Sequence, residues 1–277
     1  MSRPEHLCPP ELFYDAKEAS KYDQNSRMVK IQQTLSERAI ELLNIPEGAE
    51  RFLLDVGCGS GLSGHAIEEA GHAWVGFDIS PNMLEIAAER DSSGDVFLQD
   101  MGNGMPFRAG IFDGCISISA IQWLCYSDKS EHVSSKRLLR FFSALYYCLK
   151  RGARAVLQFY PETSEQLELI SNCAMKSGFS GGLVVDFPNS AKAKKYFLCL
   201  NAGVDNTAVV NVPVGLGMME SAAPFAHERN RSKKKRGGRE SVKAKDWIMA
   251  KKTRQRKQGK EVKRDSKFTG RRRPGAF

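Results

Sequence analysis

At 277 residues, 42% of them apolar, the chain is long enough for one large α/β domain with extra segments or for two small domains. Its formal charge of +9 hides a division: residues 227–277 carry 21 Lys and Arg against 5 Asp and Glu, a net of +16, while the remainder carries 20 against 27, a net of −7. No apolar run approaches the roughly 18 residues of a membrane span, no basic-then-apolar leader opens the chain, and the 7 cysteines form no Cys-x-x-Cys pair; these features speak against a membrane protein, a secreted protein and a zinc or redox centre, and for a soluble intracellular one.

The first 48 residues read as a helical extension. Met28, Ile31, Leu35, Ala39 and Leu42 form one stripe of a helix over 27–43, which Pro46 and Gly48 end. A regular alternation follows. Strands are predicted at 52–56, 73–78, 95–98, 112–119 and 153–160. Helices are predicted at 62–70, from Pro81 to about Arg90, at 134–149 (closed by Arg151-Gly152) and at 164–177. Continuous apolar strands alternating with helices imply a mostly parallel sheet covered on both faces. The last two strands, 182–187 and 195–201, have only a short connection and read as an antiparallel hairpin at the sheet edge. The α/β domain spans 49–205, and 206–228 is a linker. From Arg229 the composition turns to basic runs (233–236, 251–257, 271–273) too poor in apolar residues to fold alone, although docking on a partner could form a short helix around 242–250 that displays Trp247 and Ile248. Such a tail suits RNA phosphates and nuclear localisation.

Asp55-Val56-Gly57-Cys58-Gly59-Ser60-Gly61 closes the first strand and opens the next helix. Glycines at every second position let the backbone turn tightly and admit a ligand, and the N–H groups at the helix start can bind a polar head group. Asp78 ends the second strand and can accept both hydroxyls of a ribose. Asp100 follows the third and can accept from an adenine amino group, with Met101 packing on the ring. Gly59-Ser60-Gly61-Leu62-Ser63-Gly64 also fits a dinucleotide fingerprint. Asp55 argues against a nicotinamide there, because before the glycines it can either bind the ammonium of a methionine moiety or brace the loop.

Together, over roughly residues 50–200, these signals resemble the class I S-adenosylmethionine methyltransferases. That resemblance implies a seven-stranded Rossmann-like sheet and S-adenosyl-L-methionine as cofactor. It assigns Asp55, Gly57, Cys58, Gly59, Gly61, Asp78, Ile79, Asp100, Met101 and Ser117 to the cofactor. The loop after the fourth strand, 117–124, should face the methyl. It lacks the Asn/Asp-Pro-Pro-aromatic turn of amino-methylating enzymes, and no Pro-Cys nucleophile occurs anywhere. A ring nitrogen with a free lone pair needs no base. Trp123 can stack on a nucleobase and Gln122 can bond its edge, although Trp123 equally fits packing under the sheet rim.

Further stretches narrow the resemblance: Pro9-Pro10-Glu11-Leu12-Phe13-Tyr14, Lys21-Tyr22, Asn25-Ser26-Arg27-Met28, Ser119-Ala120-Ile121-Gln122-Trp123 and the Lys-rich tail. With these the chain resembles the eukaryotic 18S ribosomal RNA guanine-N7 methyltransferase family over its full length. The family implies action on rRNA in the pre-40S particle, a nuclear location (nucleoplasm and nucleolus), and a heterodimer with a small zinc-binding activator. Residues 96–98 should lie at a sheet edge, where a partner strand can pair. Two alternatives stay open: a small-molecule methyltransferase with an unrelated basic tail, and an assembly scaffold acting independently of catalysis.

Overall fold

A computed structural model describes residues 3–46, 48–90, 92–127, 132–190, 192–203 and 213–217, with 249, 252, 253, 255, 256 and 262–265 in the basic tail. The chain divides into two compact units, 1–220 and 221–277.

Among the described residues three α-helices precede the first strand, two more than the sequence predicted. They are α1 (Pro10–Phe13), α2 (Ala16–Gln24) and α3 (Ser26–Leu43). Polar caps set their starts. Asp15 accepts from Glu18 N at 2.8 Å and Asn25 accepts from Met28 N at 3.2 Å. The predicted stripe of α3 is buried at Leu35, Ala39 and Leu42. Its end is set by Asn44 in a left-handed conformation (φ 54°), two residues before the proline expected to stop it.

The alternation then runs β1 (Phe52–Val56), α4 (Leu62–Glu69), β2 (Ala73–Asp78), α5 (Pro81–Glu89), β3 (Asp95–Leu98), β4 (Phe112–Ile118), α6 (Ser134–Cys148), β5 (Leu149–Phe159), α7 (Ser164–Lys176), β6 (Ser180–Asp186) and β7 (Lys195–Asn201). These strands form one seven-stranded sheet in the order β3-β2-β1-β4-β5-β7-β6. The first five are parallel neighbours, and β7 runs antiparallel between β5 and β6, as the hairpin reading required. The residues expected at an edge, 96–98, lie in the edge strand β3.

One strand begins earlier than predicted. Arg151-Gly152 does not close α6. The chain passes from Cys148 straight into β5, where Leu149 pairs with Phe112 and Arg154 with Gly114, leaving the residues between them in a bulge.

Helices cover both faces. Phe141, Phe142 and Leu145 of α6 are fully buried on one, and Leu42 of α3 with Ile67 of α4 on the other. Each such side chain contributes on the order of 2 kcal/mol of apolar transfer. No helix among the described residues is long and apolar enough to cross a membrane. Strand order reverses between β1 and β4, so the carboxyl ends of β1, β2 and β4 open a crevice where sheets of this kind bind ligands.

In the tail, the expected helix around 242–250 falls mostly outside the described residues, Trp247 and Ile248 included; Met249, Lys252 and Thr253 are helical. Lys252 and Arg256 both pair with Asp265, at 2.8 and 2.6 Å.

Candidate functional site

A cleft of about 1020 Å³, its open mouth included, occupies that crevice. One wall is the turn between β1 and α4. Gly57, Gly59 and Gly61 all have positive φ (71°, 54° and 81°). The turn is hooked onto the tip of β2, since Gly57 N and Cys58 N both donate to Phe77 O, at 2.9 and 3.1 Å. The next residue, Asp78, takes up the same task with its side chain: Oδ2 accepts from Gly59 N at 3.0 Å and Oδ1 from Ser80 N at 2.9 Å. Burial raises the Asp78 pKa while these backbone donors pull it down.

Of the residues expected to hold a cofactor, Gly57, Cys58, Gly59, Asp78, Ile79, Asp100 and Met101 line the cleft. Asp55, Gly61 and Ser117 do not. Asp55 sits fully buried in the middle of the sheet and accepts from Ser63 Oγ at 2.6 Å, which ties β1 to the first turn of α4. Its place fits the bracing role and not direct contact with an ammonium. Burial, with the nearby Asp78 charge adding to it, pushes its pKa up to about 7 against the pull of the Ser63 bond. Ser117 Oγ donates to Val56 O at 2.8 Å and closes the β1–β4 seam behind the cleft. Gly61 serves the turn itself, its N–H donating to Cys58 O at 2.9 Å.

At the far end Asp100 caps the 3-10 turn Met101–Asn103, accepting from Gly102 N at 2.8 Å. Its carboxylate is also held by Arg137 from the first turn of α6, whose Nη2 lies 2.7 Å from both oxygens. Sequence reading missed Arg137, but a signal was there. Arg137, Phe141 and Leu145 share one buried face of α6, and a charge on such a stripe needs a partner.

The N-terminal helices form the remaining wall, which sequence reading also missed. Pro10, Glu11, Tyr14 and Tyr22 face the cleft. Ser80 Oγ and Asn82 Nδ2 both donate to Tyr14 O at 3.0 Å, so the start of α5 holds the strap down beside Asp78. Arg90 reinforces it, joining Ser60 O of the glycine turn to Asp23 of α2. Burial raises the Tyr14 and Tyr22 hydroxyl pKa values; Tyr22 adds to the rise at Tyr14, Tyr160 adds to it at Tyr22, and Asp78 adds to both.

Trp123 lines the cleft, is 6% exposed, and packs against Phe13 and Tyr14 with ring centroids 6.1 and 6.2 Å away. Gln122 is turned away. It lies outside the cleft wall, and its Nε2 donates to Ser119 O at 2.8 Å, which folds the side chain back onto its own loop. The loop is held by an unusual backbone: Ser119 has φ 57°, while its N–H donates to Gln158 O and its Oγ to Gln158 Oε1.

A long slot with an acid-and-glycine centre, an acidic end and a buried hydroxyl fits S-adenosylmethionine. Ser60 Oγ, in the cleft wall at the glycine turn, is buried with no partner among the described residues, as a group waiting for a polar ligand would be. The architecture is shared. A Methanococcus maripaludis protein described as an S-adenosyl-L-methionine-dependent methyltransferase superposes with a TM-score of 0.53 at 16% identity, over 70% of this chain and 95% of its own. A Pyrococcus horikoshii protein superposes at 0.50 with 19% identity, over 66% and 98%. The model of a methyltransferase domain matches residues 54–157. Fold and cleft together define a class I S-adenosylmethionine-dependent methyltransferase.

The particular family follows from whole-chain similarity. The 18S rRNA (guanine-N(7))-methyltransferase of Mus musculus is 57% identical over 99% of this chain and 98% of its own length. The 18S rRNA (guanine(1575)-N(7))-methyltransferase of Saccharomyces cerevisiae is 47% identical over the full length of both. The tail is matched separately, at 205–275, by the model of a methyltransferase involved in Williams-Beuren syndrome. The chain belongs to the 18S rRNA (guanine-N7)-methyltransferase family.

Proposed function

We propose that this chain methylates N7 of a guanine in 18S rRNA during small-subunit biogenesis, with the glycine turn and Asp78 holding the cofactor and Trp123 facing the base. The observation that carries the reading is the juxtaposition of two walls: a backbone-and-carboxylate wall around Asp78 and an aromatic wall of Tyr14, Tyr22 and Trp123 across the same cleft. S-adenosylmethionine supplies a methyl on a positively charged sulfur. The protein's part is to hold a nucleophile in line at about 3 Å and to exclude water. Guanine N7 carries its own lone pair, so no side chain has to remove a proton first. A flat apolar wall suits a flipped or unpaired base.

Two further readings go with this. The tail supplies sequence-blind phosphate affinity. Removing 229–277 should leave cofactor affinity within about twofold and make RNA affinity far less salt-dependent. The exposed edge of β3, where Leu98 is 59% exposed, accepts a strand of a small zinc-binding activator, and the complex works in the nucleus.

The test uses two 18S rRNA fragments, one transcribed with guanine and one with 7-deazaguanine, each given labelled S-adenosylmethionine. Label is expected in the first and absent from the second. Equal label in both would place the methyl on another atom and end the N7 assignment.

A further inference from the structure

The purine end of the cleft contains an arrangement that the cofactor assignment alone does not require. Asp100 has four hydrogen-bond contacts among the described residues. Gly102 N meets Oδ1 at 2.8 Å, Asn103 Nδ2 meets Oδ2 at 3.2 Å, and Arg137 Nη2 meets each oxygen at 2.7 Å. Every one of these partners is a donor. A carboxylate offers about four lone-pair positions, so its accepting capacity is full.

The arginine is fitted to this place at a cost. A Cβ at residue 102 would lie 2.3 Å from Arg137 Nε, so only glycine lets the guanidinium in. That Nε is buried with no hydrogen-bond partner among the described residues, which a group serving packing alone would avoid. The other end of the guanidinium is steadied by His132, with Nη1 3.3 Å from Nδ1.

We infer that Arg137 is a positioning residue that fixes the Asp100 carboxylate as an acceptor for a 6-amino purine, with Asn103 as the contact the ligand displaces. This rests on the reading that Asp100 meets the purine of the cofactor. Asn103 is the natural one to give way, because it makes the longest of the four bonds and is exposed. Arg137 stays: its bond is charge-assisted and its side chain is only 10% exposed. An amino group entering at Oδ2 then donates to a lone pair. A 6-oxo group in the same place would set lone pair against lone pair and be rejected.

The experiment measures, on the full-length chain by calorimetry, the dissociation constants of S-adenosylhomocysteine and its 6-oxo counterpart, S-inosylhomocysteine. The unaltered chain should prefer the adenosyl ligand by about 100-fold or more. Arg137→Met should reduce that preference below about tenfold. Loss of affinity for both ligands by one factor, with the preference kept, is what a merely structural arginine would give and would overturn the inference. Asn103→Ala provides a second arm on an exposed residue. It should tighten adenosyl binding a few-fold by removing the competitor for Oδ2, and unchanged or weaker binding would count against the inference. Asp100→Asn separates the two levels. If it leaves the preference intact, the assignment of Asp100 to the purine has failed. If it abolishes the preference while Arg137→Met and Asn103→Ala change nothing, the role of Arg137 alone has failed.

Discussion

The two ends of the cleft are built by different means. The ribose end is local: a five-residue turn, the tip of the neighbouring strand and one carboxylate, joined mainly through backbone N–H groups. The purine end is long-range: Asp100 and Arg137 lie 37 residues apart and meet only because α6 packs against the turn after β3. The aromatic wall is more distant still, bringing Tyr14 beside Ser80 and Asn82. Backbone geometry demands glycine at fixed spacing and so leaves a motif. A side-chain pair across the fold constrains only two residues and leaves none.

This contrast makes the ribose end the more brittle. Gly57→Ala should have the largest effect. The position has φ 71° and its Cβ would lie 2.4 Å from that of Ala120, a backbone and packing conflict together worth about 3 kcal/mol. A lowered denaturation midpoint with loss of S-adenosylhomocysteine binding is expected; a stable protein that binds normally would show the turn to be less constrained than its geometry implies. Asp78→Asn keeps the shape and loses the charge that faces the ligand. Its affinity for S-adenosylhomocysteine should fall by about 100-fold, read by calorimetry.

Asp55 sharpens the contrast in another way, because it belongs to the motif yet lies outside the cleft. Its folded pKa of about 7 stands above the ordinary carboxylate value, so the folded state keeps a proton that the unfolded chain has already released. Its contribution to stability is therefore complete at low pH and is lost as pH rises from about 4 to about 7, at a limiting slope of about 1.4 kcal/mol per pH unit. Asp55→Asn should remove that slope from denaturation curves measured across the window. An unchanged slope would mean that another group carries it. The smallest effect belongs to the strap: Asn82→Ala removes one of two donors to Tyr14 O and should cost about 1 kcal/mol.

The same division explains what could be read in advance. The seven strands, their parallel core and the edge hairpin were legible, since apolar runs such as Phe52–Val56 and Phe112–Ile118 announce buried strands. Gly57, Gly59, Asp78 and Asp100 were legible from spacing. The start of β5 was not, because Lys150-Arg151-Gly152 is polar and resembles a turn, and only pairing with β4 and Ala202 O makes it strand. The sequence offers Gln122 to a base edge but carries no sign of the bond its Nε2 makes in the fold, to Ser119 O three residues away. Ser117 and Asp55 occupy motif positions whose side chains point into the sheet. The strap could not be placed, because a nine-residue helix such as α2 carries no record of what it covers.

The central claim is that the turn at Gly57–Gly61 and the carboxylates of Asp78 and Asp100 together enclose an adenosyl ligand. A crystal structure of the full chain with S-adenosylhomocysteine tests it directly. The account predicts both ribose hydroxyls within about 2.6–3.2 Å of the Asp78 carboxylate and the purine against Met101 with its amino group at Asp100. A purine lodged instead between Tyr14 and Trp123, or a ligand that leaves Asp78 without a bond, would contradict it.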